Sequence, residues 1–343
     1  MAIAKRIGLN LLPVVLALLF STLLLLLVGA SPLDAFRQLI EGSFGSDQKI
    51  ADTLMAWAPL VLCAAGLLIT YAAGLWNIGV EGQIIMGAIA AAWVARTVTA
   101  PAELLVPLAM LGGMVGGALW GLVVGALRTF GKVSEIFGGL GLNFVATGFT
   151  IYLIIGPWAR AGIASTSGTD TFPREAWLPV IGNTRLAPFA IVLALIAVVI
   201  VYVLLRGTFF GLRLKAVGRN MRSAFLLDVP TNRYMLTAFG LCGVFAGLAG
   251  AVQATGFHHK LVPAVSGGYG YLAILVAMLS GFRATGIAPI ALFFAAITIG
   301  STQLQLRLNL DSSLGGVLQG VLVLFVLLAQ GWQERRRRKA ASE

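Results

Sequence analysis

The sequence predicts an all-α integral membrane protein, a polytopic bundle of about ten transmembrane helices with a broken or re-entrant segment near residues 75–84. The chain of 343 residues is 59% hydrophobic and only 11% charged, and its mean hydropathy is +0.94, far above that of soluble globular domains. Its apolar stretches reach about 20 residues, the length that a helix needs to cross a bilayer. They lack the period-two alternation of membrane β-strands. Helices are therefore expected to span the membrane.

The apolar runs follow one another with short polar connections, as one transmembrane domain over residues 1–343. The first run comes after Lys5 and Arg6 and is too long for the core of a signal peptide, so we expect a retained first helix. Cys63 and Cys242 lie inside apolar runs, where a buried thiol is more common than a disulfide or a metal ligand. The expected spans are roughly 9–29, 53–74, 83–99, 104–127, 137–156, 187–205, 234–256, 269–282, 287–305 and 314–331.

The distribution of charge orients these spans. An even number of spans puts both termini on one side, and if that side is the cytoplasm, its segments carry most of the 24 basic residues and a minority of the 13 acids. We therefore expect cytoplasmic termini, a cytoplasmic loop at 206–233 and a basic cytoplasmic tail at 332–343 that meets anionic lipid. Because this orientation explains the net charge of +11, the charge gives no reason to expect nucleic-acid binding.

Glycines recur every four residues in three of the spans. On a helix this spacing forms one stripe, and small residues let membrane helices approach closely where lipid supplies no hydrophobic driving force. The stripe residues are Gly113, Gly117, Gly121 and Gly125 in the fourth span, Gly243 and Gly247 in the seventh, and Gly316 and Gly320 in the tenth. We expect them to pack helices together, and they do not by themselves indicate transport.

Polar residues and glycines interrupt the apolar register between the second and third spans. The stretch GLWNIGVEGQ places Asn77, Glu81 and Gln83 among glycines. Unwound backbone at membrane depth is tolerated only where protein or water surrounds it, and an ionisable group there is usually functional. The alternative is a short cytoplasmic turn in which Glu81 caps the next helix. The residue pattern alone leaves both open.

The loop at 206–233 is rich in Lys and Arg, with Asp228 as its acid. Residues 214–227 can form a short amphipathic helix with an apolar face that includes Ala216 and Phe225. Such a helix could lie on the membrane surface or dock in a groove of a soluble partner. Spacing alone favours the membrane surface.

Three stretches resemble a known family. GLWNIGVEGQ, GLRLKAVGRNMRSAFLLDVPTNR and GLAGAVQATG are similar to the permease subunits of bacterial ABC importers for simple sugars, nucleosides and branched-chain amino acids. The NIGVEGQ form looks most like the nucleoside and simple-sugar permeases, and the resemblance covers about residues 9–332. The later stretch SGGYGYLAILVAMLSGF also resembles the family and is a candidate counterpart of the Asn77 region.

The resemblance implies a set of partners in the bacterial inner membrane. It implies ATP-binding-cassette ATPase subunits, a second permease that is homologous or identical, and an extracytoplasmic solute-binding protein. It also implies that this chain is not an enzyme and holds no cofactor, since ATP and magnesium would be bound by the partner ATPase. The expected function is then the translocation path for nucleosides or simple sugars.

The resemblance also implies roles for particular residues. It favours docking of the basic loop on the ATPase, through Leu214, Ala216, Gly218, Arg219, Asn220 and Ala224. It places the signature stretch near the translocation path, where Asn77, Glu81, Gln83 and Asn143 could offer hydrogen bonds to a solute. For Asn143 an interhelical hydrogen bond worth about 1 kcal/mol is an equal alternative.

Other functional classes fit the sequence less well. An ATP-independent secondary carrier or channel for small polar solutes is the main alternative, and a carrier would need coupling-ion carboxylates that the spans largely lack. An intramembrane enzyme would need a convergent set of acid, base or nucleophile groups. His258 and His259, at the outer edge of the seventh span, are expected to contact headgroups or loops.

Overall fold

The structure is a computed structural model that describes residues 2–160, 166–308, 311 and 313–342, with side chains described in 15–160, 166–308, 311 and 313–329. Throughout this part of the chain the regular structure is helical, which confirms the all-α expectation. The backbone of the basic tail lies at the end of the last helix, and its side chains lie outside the described residues.

Thirteen α-helices occur in the described residues. They are α1 (Ala2–Leu27), α2 (Pro32–Phe44), α3 (Asp47–Ala72), α4 (Val80–Thr97), α5 (Ala102–Thr129), α6 (Glu135–Ile155), α7 (Pro188–Gly207), α8 (Phe209–Arg219), α9 (Met221–Leu226), α10 (Thr231–Val252), α11 (Tyr269–Leu279), α12 (Ala284–Leu308) and α13 (Ser313–Ser342). A π-helical turn, Gln253–His258, continues α10, and a 3-10 turn lies at Arg174–Ala176.

Each expected span overlaps one of these helices, but the helices differ in their capacity to cross a bilayer. Among the described residues, six are long and apolar enough, or seven if the bent pair of α1 and α2 counts as one span. The six are α3, α5, α6, α7, α10 with its π-helical turn, and α12. With 11 residues, α11 is about 16 Å long, which is shorter than the roughly 30 Å of a bilayer core, so the span expected at 269–282 is not among the six.

Helix α2 was not expected from the apolar runs. It begins where Ser31 Oγ accepts a hydrogen bond from the Asp34 N–H at 3.4 Å, and Pro32 occupies its first turn. Ala35 and Leu39 are buried on one face of the helix, and the exposed residues include Arg37 and Glu41 together with Leu33 and Ile40. A bend of 110° separates α2 from α1. Because α2 lies between two longer apolar runs, the hydropathy pattern does not single it out.

The described chain forms two compact units. The first contains residues Met1–Thr53 and Leu292–Glu343. Its core holds Leu25, Leu39 and Leu304. Helices α2 and α12 approach closely at Gly42, where an added Cβ would lie only 2.9 Å from the Gly300 Cα. A hydrogen bond from Ser43 Oγ to the Ala296 carbonyl, 2.6 Å long, also joins the two helices.

The second unit, Leu54–Ala291, is built around α4, α5 and α10. The glycine stripe of α5 faces α10: a Cβ on Gly113 would lie 2.8 Å from the Gly247 carbonyl oxygen, and one on Gly117 would lie 2.5 Å from the Gly247 Cα. A Cβ on Gly243 would lie 2.9 Å from the Ala118 Cα. Further along, Gly121 and Gly125 lie against Phe239. These backbone contacts leave no room for any side chain, so the three helices form a close-packed core.

Candidate functional site

The helix is broken between α3 and α4, at the stretch in which the sequence shows glycines and polar residues. The backbone turns at Gly74, whose φ of +72° suits glycine, and helical structure resumes at Val80. The Trp76 N–H reaches the carboxylate of Glu135 at 3.5 Å. A Cβ on Gly139 of α6 would lie 2.6 Å from the Gly79 nitrogen, so the end of the break packs closely on α6, whereas Gly74 and Trp76 at its start are exposed.

Glu81 lies in the first turn of α4 and is only 6% exposed. Its carboxylate accepts a hydrogen bond from Ser266 Oγ at 2.6 Å and another from the Gly270 N–H at 2.8 Å. Gly270 is in the first turn of α11, whose N-cap residue, Gly268, offers no side-chain cap. Glu81 therefore caps α11 from a different helix, and its carboxylate group lies at the positive end of that helix.

Asn143 of α6 has the same role for α4. Its Oδ1 accepts a hydrogen bond from the Gly82 N–H at 2.8 Å, while the N-cap residue of α4, Gly79, has no side chain to offer. The Nδ2 of Asn143 donates to the Ile78 carbonyl at 3.0 Å and to the Tyr271 hydroxyl at 3.2 Å. Asn143 thus makes the interhelical hydrogen bonds that the sequence offers as its alternative role.

We call the side chains of Glu81, Asn143, Ser266 and Tyr271, with the N–H groups of Gly82 and Gly270, the cap network. It joins α4, α6 and α11 in one set of buried hydrogen bonds. Such a network is rigid while it is complete. Opening part of it is costly, because each buried group left without a hydrogen-bond partner costs about 1–3 kcal/mol of stability.

Asn77 and Gln83 form a second polar contact beside the cap network. The two side-chain amides exchange hydrogen bonds at 3.2 and 3.3 Å, and Asn77 Nδ2 also lies 3.1 Å from Cys242 Sγ. Both side chains are buried. Together with Glu81 and Asn143, all four residues expected along a path are thus buried and hydrogen-bonded to protein in this conformation.

The basic loop folds as two helices rather than as the one helix expected over 214–227. Helix α8 ends at Arg219 and α9 begins at Met221, because Asn220 adopts an extended conformation and its Oδ1 accepts a hydrogen bond from the Ser223 N–H at 3.0 Å. Asn is a favoured N-cap residue, so Asn220 itself was a signal in the sequence.

The residues expected to dock a partner differ in their exposure. Gly218, Arg219 and Asn220 are exposed and Ala216 is partly so, whereas Leu214 and Ala224 are buried and support the segment from beneath. Phe225, which the sequence places on the apolar face of this segment, is 68% exposed, and its neighbours Leu226 and Leu227, which were not expected there, are each 77% exposed.

The end of α8 touches the break between α3 and α4 directly. A Cβ on Gly218 would lie 2.8 Å from the Gly74 nitrogen and would also meet the Ala72 carbonyl oxygen. In the other direction, a Cβ on Gly74 would lie 3.0 Å from the Gly218 carbonyl oxygen. Backbone therefore lies on backbone, seven positions before Glu81. No pattern within one segment of the sequence shows this contact.

The described residues contain no group of three or more His, Cys, Asp or Glu side chains that could hold a metal ion. What the site offers instead is a broken helix, two helix starts capped by side chains from other helices, and a basic segment in contact with the break.

Comparisons with known proteins identify the family of the chain. A family model described as branched-chain amino acid transport system / permease component matches residues 49–327. A glucose ABC transporter permease protein of Haloferax volcanii is 30% identical, with 96% of this chain and 89% of that protein covered. A guanosine ABC transporter permease protein of Bacillus subtilis is 28% identical, with 94% of each chain covered.

A nucleoside ABC transporter permease protein of Lactococcus lactis is 27% identical, with 87% of this chain and 84% of that protein covered. Among solved structures, PsaBC from Streptococcus pneumoniae in complex with Fab aligns at 12% identity and a TM-score of 0.48, with 86% of this chain and 95% of that chain covered, which is too distant to bear on function. Because the family model spans most of the chain, the protein belongs to the family of branched-chain amino acid transport system permease components.

Proposed function

We propose that this permease forms the translocation path for nucleosides or simple sugars in an ABC importer of the bacterial inner membrane. The substrate class rests on relatives named for guanosine, nucleosides and glucose, each similar over most of its length. A solute-binding protein would deliver the substrate from outside, and a second permease, homologous or identical, would complete the path. ATP and magnesium would bind to the partner ATPase rather than to this chain.

The observation that carries the mechanism is the contact between Gly218 and Gly74. It joins the segment that we assign to ATPase docking with the break that leads to Glu81. Two backbone segments in van der Waals contact transmit a displacement directly, whereas a contact through a long, flexible side chain would absorb part of it. A push on α8 therefore reaches the start of α4 through the few residues of the break.

The docking surface that we propose consists of Arg219, Asn220, Phe225, Leu226 and Leu227, carried by α8 and α9. Its apolar side chains are exposed, and a basic side chain lies among them. A short segment with apolar anchors and surrounding cations suits a groove on a soluble partner. Buried Leu214 and Ala224 hold this segment in shape.

The cap network would carry the displacement further. Movement of α4 at Glu81 changes the contact with α11, since the carboxylate holds both Ser266 and the Gly270 N–H. A preference of a few kcal/mol by the ATPase for one state is enough to shift the population between two arrangements. In the second arrangement Asn77, Glu81, Gln83 and Asn143 would exchange hydrogen bonds within the protein for hydrogen bonds with a hydroxyl-rich solute.

The topology that we propose has the ten expected segments in the membrane and both termini in the cytoplasm. On this orientation the loop of α8 and α9 faces the ATPase, and the basic segments follow the positive-inside rule. In this topology α4, with 18 residues and a length of about 27 Å, crosses the membrane after the break, and short α11 crosses together with its flanking turns.

The first test is co-purification. The tagged protein is isolated in mild detergent from its native membranes, and the accompanying ATPase is quantified by mass spectrometry for wild type, Phe225→Glu and Phe130→Glu. Phe130 is a matched control because it lies in another loop on the same proposed side and is 66% exposed, against 68% for Phe225. We expect the ATPase to remain with wild type and with Phe130→Glu, and to drop at least tenfold with Phe225→Glu.

Two results would count against the proposal. If folded wild-type protein carries no ATPase even after crosslinking, the chain acts as a carrier or channel. If Phe225→Glu and Phe130→Glu lose the ATPase equally, docking is not centred on α9.

A separate measurement decides the substrate: the uptake of labelled guanosine and of labelled glucose by the same cells, with and without the gene.

A further inference from the structure

A cavity of about 430 Å³ lies among the end of α3, the end of α7, α8 and the turn between α11 and α12. Its volume is in the range of about 300–1,000 Å³ that small-molecule sites occupy. We propose that this cavity binds the phosphate ester of an anionic lipid headgroup. The inference rests on the proposed function only in taking this side of the protein as the cytoplasmic one.

Three cations line the cavity, and its lining contains no carboxylate. Arg206, Lys215 and Arg283 come from α7, α8 and the turn before α12, so distant parts of the chain bring like charges together. None of the three takes part in an ion pair within the described residues. Like charges that converge without a counter-charge repel one another, and an anion bound among them removes that cost.

Glu135 has its carboxylate near the cavity, but an ion pair with Arg128 already balances its charge. Glu135 accepts from the N–H of Trp76, a residue of the cavity wall, but it is paired with Arg128 at 2.8 Å. It therefore does not serve as the counter-ion of the three cations.

Contacts with the protein hold two of the three exposed cations, Arg206 and Lys215. The Arg206 guanidinium lies 5.1 Å from the centre of the Tyr202 ring and donates to its hydroxyl at 3.4 Å, which orients the fork of N–H donors. Lys215 Nζ donates to the Leu205 carbonyl and has further protons to give. An oriented guanidinium beside an ammonium is the donor set that recognises phosphate oxygens.

The surroundings favour a lipid as the source of this phosphate. Helix α7 leads from the cavity with Val199 and Val203 exposed, as expected of a face that meets acyl chains. Trp76 and Tyr202, both on the cavity wall, are partly exposed aromatic residues of the kind found at headgroup depth. Basic pockets between membrane helices on the cytoplasmic side are typical sites for anionic headgroups.

The experiment measures lipid bound to the intact purified protein. Nanodiscs of phosphatidylcholine with a minor fraction of phosphatidylglycerol are made with wild type, with Arg206→Gln, Lys215→Gln, Arg283→Gln together, and with a control triple. The control, Arg213→Gln, Arg222→Gln, Arg233→Gln, removes the same charge from exposed positions on the same proposed side. Co-isolated phosphatidylglycerol is quantified by native mass spectrometry after matching the folds by circular dichroism. A second arm titrates glycerol 3-phosphate into protein in neutral detergent.

We expect phosphatidylglycerol to bind wild type and the control triple alike, and to bind the cavity triple about a hundredfold more weakly. Single Arg283→Gln, which leaves the two other cations in place, is expected to lose about fivefold. If glycerol 3-phosphate binds with the same dependence on the cavity and phosphatidylglycerol does not, the site is a phosphate site with a soluble ligand. Equal losses in both triples would overturn the proposal, because they would show attraction to the basic surface in general.

This outcome is separable from that of the proposed function. The binding measurement needs no ATPase, so lipid can bind in the cavity of a protein that proves to be a carrier. Conversely, if the control and cavity triples bind lipid alike but co-purify the ATPase as wild type does, the cavity site fails and the importer assignment stands.

Discussion

The Glu81 carboxylate accepts a hydrogen bond from the Gly270 N–H at 2.8 Å, across 189 positions of sequence. This single contact ties the first turn of α4 to the first turn of α11. It places an ionisable residue inside a membrane protein without leaving its charge unmatched, because the start of a helix and the Ser266 hydroxyl both stabilise the carboxylate.

Loss of the Glu81 side chain should destabilise the protein through its partners. Glu81→Ala leaves the Ser266 hydroxyl and the Gly270 N–H without an acceptor, whereas Ser266→Ala alone removes one donor. We expect a coupling energy of about 1–2 kcal/mol in the double-mutant cycle of Glu81→Ala and Ser266→Ala, measured by thermal unfolding in nanodiscs. Additive effects of the two changes would refute the contact.

A methyl group at Gly270 should separate α11 from α4. Its Cβ would lie 2.5 Å from Glu81 Oε2 and 2.8 Å from the Glu81 nitrogen, so one of the helices must shift. We expect Gly270→Ala to lower uptake at least tenfold. The control is Gly141→Ala in α6, where a Cβ meets nothing within 4 Å and alanine adds up to about 1 kcal/mol of helix stability. Wild-type uptake in Gly270→Ala would mean that this contact is not needed.

A methyl group at Gly218 should uncouple the ATPase from the path. It would enter the backbone of Ala72 and Gly74 while leaving Phe225 exposed for docking. In proteoliposomes with the ATPase, we expect Gly218→Ala to retain ATP hydrolysis and to lose uptake by more than tenfold. Gly207→Ala is the matched control, because its Cβ would meet only Val203 at 3.7 Å. A parallel fall of hydrolysis and uptake would point to lost docking instead.

Asn143 should matter more than its helical neighbour Thr147. Asn143→Ala removes the cap from the Gly82 N–H and orphans the donor and acceptor groups that it joins, which we expect to cost about 1–3 kcal/mol. Thr147 bonds only to the Asn143 carbonyl within the same helix, so Thr147→Ala should change thermal stability by less than about 0.5 kcal/mol. Equal shifts in the unfolding midpoint would show that Asn143 is not a cap.

Acid should weaken the fold at His259, which lies just beyond the α10 span. Burial lowers the pKa of His259 below its ordinary value of 6.5, and Arg185 lowers it further, although Nδ1–H donates to the Thr255 carbonyl at 2.8 Å. Between the folded pKa and 6.5 the unfolded chain binds more protons, so stability present above pH 6.5 is lost as the pH falls through that window.

The test compares unfolding midpoints at pH 7.5 and at mildly acidic pH for wild type and His259→Gln. The wild type should lose more stability on acidification than the variant does, because glutamine does not titrate. The His259 ring also stacks on Trp177, with 3.8 Å between the ring centroids. We therefore expect His259→Gln to lower the unfolding midpoint by a similar amount at both pH values, in addition to its effect on the pH dependence. An identical pH dependence in the two proteins would exclude His259 as its source.

Much of the architecture could be predicted from local pattern. Apolar runs predict the long helices, and the glycines beside Asn77 and Glu81 predict the place where helical structure stops. Both could be predicted because each signal lies within a short stretch of sequence. The stripe from Gly113 to Gly125 likewise follows from spacing alone, and it lies against α10.

The partners of the polar residues could not be predicted. Asn143 and Glu81 cap helices that begin far away in the chain, and a single sequence gives no measure of such proximity. The break at Asn220 was missed for a different reason: apolar periodicity runs through it, while its capping hydrogen bond with Ser223 is local and competes successfully with helix continuation.

The long-range caps have a consequence for the biogenesis of the protein. When α4 leaves the ribosome its Asn143 cap is 61 positions away from Gly82, and the Gly270 that holds Glu81 is 189 positions from it. At about 5–20 residues per second, the nascent chain waits roughly 10–40 s for that second partner. Until then the Glu81 carboxylate lacks the two donors that it has in the folded protein, so α4 reaches its final hydrogen-bonded state only in the company of segments translated after it.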